Sequence, residues 1–122
     1  MSLRRKVFAA VSFALFLLAL IGSTRGDSML MVGRGSATCL IFLQESSSNP
    51  TWDYIYHSWA EGYMSAINAR NTISKTDINL SVDSLQGRQQ VDFLKDYCKA
   101  NPEQTFVFAV ANLYDQLKLR QQ

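Results

Sequence analysis

Apolar residues recur at helical spacing in several stretches of this chain. Trp52, Ile55, Tyr56, Trp59, Tyr63, Ala66 and Ile67 follow one another at steps of 3, 1, 3, 4, 3 and 1. Steps of three and four trace one face of an α-helix, so the stripe predicts a helix running to about Arg70. Asn49-Pro50 marks its start. Asparagine accepts from free N–H groups at a helix entrance, and proline, which has none to offer, suits the first helical position. Gly62 sits inside this helix, where glycine costs about 1 kcal/mol relative to alanine. Placed between Trp59 and Tyr63, it predicts a close helix-packing contact made by all three residues. A ligand could fill the same notch.

Two further stripes follow. Val91, Leu94 and Cys98 share a face, with Phe93 and Tyr97 beside it and Arg88, Asp92, Lys95, Asp96 and Lys99 on the exposed side. Ser84 or Asp83 is the expected cap of that helix. Phe106, Ala109, Val110, Leu113 and Leu117 step by 3, 1, 3 and 4 and predict the last helix. Lys118 and Arg120 lie in its final turn, where they suit the helix dipole. Asn101-Pro102-Glu103-Gln104 separates the two: Asn101 ends one helix and caps the next, with Pro102 first and Gln104 third in the new one. Upstream, Thr38 is placed to cap a short helix carrying Cys39, Phe42 and Leu43. Gln44 to Pro50 is a serine-rich turn, and Asn71 to Asp83 a polar connection in which Ile78, Leu80 and Val82 alternate. The expected fold is all-α: one short and three longer helices.

The first 26 residues follow a different rule. Met1 to Lys6 carry three positive charges, Val7 to Ile21 is almost wholly apolar, and Gly22 to Gly26 is small and polar. That order is a secretory signal peptide. The apolar run falls short of the roughly 20 residues a spanning helix needs. The expected organisation is a signal peptide over 1–26, a flexible arm over 27–37 and a helical domain over 38–122. The mature form is then periplasmic or secreted and not membrane-embedded.

The leader also changes the meaning of the charge. The chain carries 12 basic and 10 acidic residues. Arg4, Arg5, Lys6 and Arg25 belong to the leader, and without them acidic residues are in excess. Such a balance offers no electrostatic footprint for nucleic acid. Export matters equally for Cys39 and Cys98. An even pair in an oxidising compartment reads as a disulfide. A metal site would need more ligands than one histidine supplies, and a redox pair would favour Cys-x-x-Cys spacing, which is absent. The helical domain is therefore expected to be stapled from the short helix to the end of the third.

Several of these residues resemble a known group. Cys39-x-x-Phe42-Leu43, Trp59-x-x-Gly62-Tyr63, Tyr97-Cys98 and Asn101-Pro102 look like small exported bacterial helical proteins. These are related in pattern to HdeA-type acid-stress chaperones and to the Tai-like immunity proteins of type VI secretion. The likeness spans Cys39 to about Leu117. Cys39, Phe42, Leu43 and Cys98 match the first group; Gly62, Tyr63 and Pro102 match the second. The chain departs from the immunity group in having Trp59 where additional cysteines are usual. It departs from HdeA-like chains in its two tryptophans and lower charge. The resemblance implies a helical fold with one disulfide and a protein that works by binding another protein. It supplies no catalytic residues.

Candidate chemistry is sparse. His57 is the only histidine, and Asp53 and Glu61 lie four residues to either side, on one helix face. Three ligands stacked along one helix converge poorly on a metal ion, and Ser58 points away from His57. The trio is expected to be a solvated polar face, with a pH-sensitive patch as the functional alternative. No catalytic residues, cofactor or metal are expected. Asn79-Leu80-Ser81 fits a glycosylation sequon, which has meaning only in a host that glycosylates. The dense cluster Trp52, Tyr54 and Tyr56 cannot turn every ring inward, because a helix rotates 100° per residue. At least one ring is expected at the surface, with Tyr54 the foremost candidate, and the cluster is the expected binding patch. The expected function is that of a non-enzymatic protein-binding protein, its partner an envelope client or a toxin. The alternative is a small enzyme or ligand-binding protein using a cleft near Gly62.

Overall fold

The computed structural model describes residues 31–122 of the chain. The expected leader and residues 27–30 of the expected arm lie outside the described residues. Among the described residues, four α-helices carry the fold: α1 (Cys39–Ser48), α2 (Thr51–Asn71), α3 (Gly87–Ala100) and α4 (Phe106–Leu119). Single 3-10 turns lie at Gly33–Ser36 and Thr72–Ser74. Extended pairing among the described residues is limited to two isolated bridges, Thr38 with Thr105 and Val82 with Leu85. The all-α expectation holds, and Cys39 is bonded to Cys98 with Cα atoms 4.8 Å apart.

Where helices begin is mostly local chemistry. The Thr38 hydroxyl accepts from the Ile41 N–H at 3.3 Å. Asn49 Oδ1 accepts from the Thr51 N–H at 2.9 Å, and Pro50 already has helical dihedrals. Two expected caps differ. The third helix is capped at Gln86, whose N–H donates to Gln89 Oε1 at 2.9 Å and whose carbonyl accepts from the Gln89 N–H at 2.8 Å, and neither Asp83 nor Ser84 takes that place. Buried Leu85 fixes the chain just before it and moves the start downstream. The last helix starts at Phe106 behind Thr105, so Pro102 to Gln104 form a turn outside it. That turn has other work: Pro102 and Gln104 offer their carbonyls to the Leu40 and Cys39 N–H groups at 3.0 and 2.7 Å. The Ala37 carbonyl in turn accepts from Phe106 at 2.8 Å. The starts of α1 and α4 thereby satisfy groups that a lone helix leaves unpaired.

The core centres on three rings from three helices. Phe42, Tyr56 and Phe106 stand with centroids 4.7 to 4.8 Å apart in tilted and edge-on contacts. Around them lie Met64, Leu94, Val110, Leu113, Leu117 and the disulfide. On α4 all five expected apolar residues are buried, together with Val107 and Tyr114. On α2 the buried line is rotated from the expected stripe: Tyr56, Ala60 and Met64 are buried, while Ile55 and Ala66 are exposed. Trp52, Trp59, Tyr63 and Ile67 pack along its edge.

Amide side chains hold the connection between α2 and α3. Asn68 bonds both the N–H and the carbonyl of Ile78, and Gln121 does the same to Asn79. Ile78, Leu80 and Val82 alternate toward the core without forming a strand. Where it is described, the expected arm is docked against α2. Gly35 is buried, and a Cβ there would lie 2.0 Å from the Trp59 ring. Residues 31–37 form a strap over α2. Among the described residues, no helix is long and apolar enough to cross a membrane.

Candidate binding surface at the start of the second helix

Trp52 and Tyr56, four residues apart, leave α2 on one side with ring centroids 6.4 Å apart, and Tyr54 leaves on the other. Tyr54 is 75% exposed. Tyr56 is fully buried, so it leaves the expected binding patch and joins the core. Trp52 is half-buried under the Arg34 guanidinium, which lies 4.2 Å from its ring centroid. Of the three expected contact residues, Tyr54 alone presents its ring to solvent, as its 200° rotation from Trp52 requires.

Beside Tyr54 is a recess of about 200 Å³ between the first turns of α2 and α3, lined by Pro50, Asp53, Tyr54, His57, Gly87, Arg88 and Val91. Tyr54 stands on one wall and Arg88, 84% exposed, on the other. Gly87 has φ +42, a conformation that favours glycine, and nothing lies within 4 Å of where its Cβ would be. The recess is therefore open along the backbone of α3. The notch expected at Gly62 is not part of it. Gly62 is exposed with nothing within 4 Å of a Cβ, so no helix packs there. The close approach expected of Gly62 occurs at Gly35, against the same Trp59. Trp59 and Tyr63 do pack, stacked on each other at 5.4 Å.

Asp53 and His57 are not a solvated face. They lie in the seam with α3, and only Glu61 is well exposed. Asp53 Oδ2 accepts from Lys95 Nζ at 2.7 Å, which takes Lys95 off the exposed side expected for it. Asp53 Oδ1 is buried without a hydrogen-bond partner among the described residues. His57 Nε2 meets Gln90 Oε1 at 3.0 Å. The Gln90 amide nitrogen already donates to the Leu80 and Leu85 carbonyls at 2.8 and 3.0 Å. Gln90 Oε1 is thus the acceptor, and His57 carries its proton on Nε2. Nδ1 is left facing Glu61 Oε1 at 3.8 Å. This assigns His57 a structural hydrogen bond to buried Gln90. Among the described residues, no group of three His, Cys, Asp or Glu side chains is arranged to hold a metal ion.

A second cluster has no signal in the sequence. Arg34 Nη1 donates to both oxygens of Glu45 at 3.1 and 3.2 Å, and the Tyr56 hydroxyl donates to Glu45 Oε2 at 2.6 Å. Burial pushes the Tyr56 phenol up to about 12, helped by its bond to the Glu45 carboxylate and by that negative charge, with Arg34 pulling the other way. Residues 34, 45, 52 and 56 form no motif; only the docked strap brings them together. Compared with protein-family models, with curated proteins and with solved structures, the chain matches none.

Proposed function

We propose that this is an exported, non-enzymatic protein that acts by binding another protein through the Tyr54 surface. The observation that carries the reading is the pairing of exposed Tyr54 with Arg88 across an open recess. Tyrosine and arginine beside a pocket are the residue types that dominate binding energy at protein interfaces. The Cys39–Cys98 bond supports an oxidising compartment, in keeping with the leader's charge and hydrophobic order. The likeness to HdeA-type chaperones and Tai-like immunity proteins suggests an envelope client or a toxin as the partner. The competing ligand-binding or enzymatic reading attaches to this recess, where Asp53 and His57 are the candidate acid–base groups.

Pull-down from the organism's own cell envelope tests the proposal. Tyr54→Ala is expected to lose the partner while melting temperature and helicity stay unchanged, because the ring covers no core. A variant that keeps every partner overturns the proposal. The chaperone version adds a requirement: apolar dye binding rises as carboxylates protonate below about pH 4. Flat dye binding from pH 7 to 2 removes that version and leaves binding at neutral pH.

A further inference from the structure

Residues 31–36 cross α2 without a backbone hydrogen bond to any helix among the described residues. The Ser36 hydroxyl bonds the Gly33 carbonyl, and the Ala37 N–H bonds the Arg34 carbonyl, both within the strap. The first backbone tie to the helices is the Ala37 carbonyl. The strap also precedes Cys39, so the disulfide does not enclose it. What holds it is packing against α2 and α4, the Arg34 side chain and the two glycines making the contacts with α2. The Arg34 guanidinium lies over Trp52 at 4.2 Å and 5.5 Å from the Tyr56 centroid, with Glu45 binding one of its nitrogens through both oxygens. Gly33 and Gly35 lie flush on Trp59, at distances that exclude a side chain at 35 and crowd one at 33.

An aromatic wall beside a carboxylate recognises a guanidinium: the ring faces attract the cation and the carboxylate takes its N–H groups. The flat Trp59 face next to it admits only small neighbours. Arg34 and Glu45 both remain about a third exposed, so their attraction is screened and the grip is weak beside that of the helical core. Segments held in this way open without unfolding the whole molecule. We propose that the groove of Glu45, Trp52 and Trp59, floored by buried Tyr56, is a binding site for a peptide that carries arginine between glycines in a 3-10 turn, and that the strap is its intramolecular occupant. A partner presenting such a segment displaces the strap. The tether gives the strap an effective concentration on the order of millimolar, so the intact protein resists weak competitors. The groove follows Trp52 and Trp59 along α2, on another side of the helix from Tyr54, and this proposal does not depend on the Tyr54 surface.

The test uses the oxidised full mature chain and a capped Gly-Arg-Gly-Ser-Ala peptide, with Gly-Lys-Gly-Ser-Ala as control, followed by tryptophan fluorescence. Arg34→Ala vacates the pocket and is expected to bind the arginine peptide at least tenfold tighter than the unaltered protein does. It should also prefer that peptide at least tenfold over the lysine one. Equal affinity for the two proteins, or no binding to the variant, overturns the proposal. Trypsin cleavage at the Arg34–Gly35 bond of the unaltered protein gives a second reading that needs no variant. A displaceable strap is cut at a rate nearly independent of urea below the unfolding transition. Cleavage that appears only with global unfolding makes the strap an integral part of the core and sinks the idea.

Discussion

A methyl group added at residue 35 and one added at residue 62 meet opposite surroundings. At Gly35 it would lie 2.0 Å from the Trp59 ring, which must shift or expel the strap. Gly35→Ala is expected to destabilise by about 1–3 kcal/mol. At Gly62 it meets open solvent inside a helix, so Gly62→Ala should stabilise by about 1 kcal/mol. Thermal melts of the two variants read both signs, and a loss at Gly62 would require a neighbour that the fold does not place there. Tyr56 adds a pH-dependent effect. Its phenol titrates near 12 in the fold against about 10 in an unfolded chain, so folding favours the protonated form. That contribution is complete below pH 10 and is lost as pH rises toward 12. Tyr56→Phe should flatten the fall in melting temperature across that window. An unchanged fall would assign it to other groups.

At the scale of elements, the seam between α2 and α3 is joined by polar side chains. Gln90, 3% exposed, donates to the Leu80 and Leu85 carbonyls and accepts from His57. Gln90→Leu keeps an apolar body in the seam but orphans those carbonyls and the imidazole N–H. Urea denaturation should show a loss of about 1–3 kcal/mol. A change under about 0.5 kcal/mol would mean that the network holds nothing together. Helices α2 and α4 are legible in the sequence, because each residue's neighbours at i+3 and i+4 belong to the same element. The phase of α2 is not. Ile55 is as apolar as any residue on the predicted stripe, yet α1 and α4 both approach from the Tyr56 side and leave Ile55 outside. Lys95 reads as polar surface because its partner Asp53 stands 42 residues away, and the meeting of Gln90 with His57 spans 33 residues.

For the whole molecule, the staple dominates. Cys39 and Cys98 are 59 residues apart, and closing a loop of that size removes about 4 kcal/mol of unfolded-state entropy. A domain of this size has a total stability of about 5–15 kcal/mol. The Cys39→Ala, Cys98→Ala double variant should therefore lose a large fraction of its stability, measured by urea denaturation at neutral pH. A loss below about 1 kcal/mol would show that the reduced chain keeps the two ends together by other means. The loop also explains how so small a core suffices. The bond ties α1 to the end of α3, while the turn at 102–104 and the Thr38–Thr105 bridge bring the start of α4 to the same place.

By itself the sequence determined what local chemistry determines. Thr38 and Asn49 cap helices, Pro50 opens one, apolar spacing builds α4, and a lone cysteine pair has a single way to close. It also singled out Tyr54, since rotation along one helix is independent of what packs against it. The tertiary structure alone decided which face of α2 is inside, that Gly35 and not Gly62 touches Trp59, and that Arg34 closes over Trp52 and Glu45. It also decided that Asp53 and His57 belong to a seam. Each of those outcomes depends on groups far apart in the chain, whose meeting is set by the packing of whole helices around the Phe42, Tyr56 and Phe106 rings. A pattern confined to one helix fixes its period, but its orientation is fixed by its neighbours.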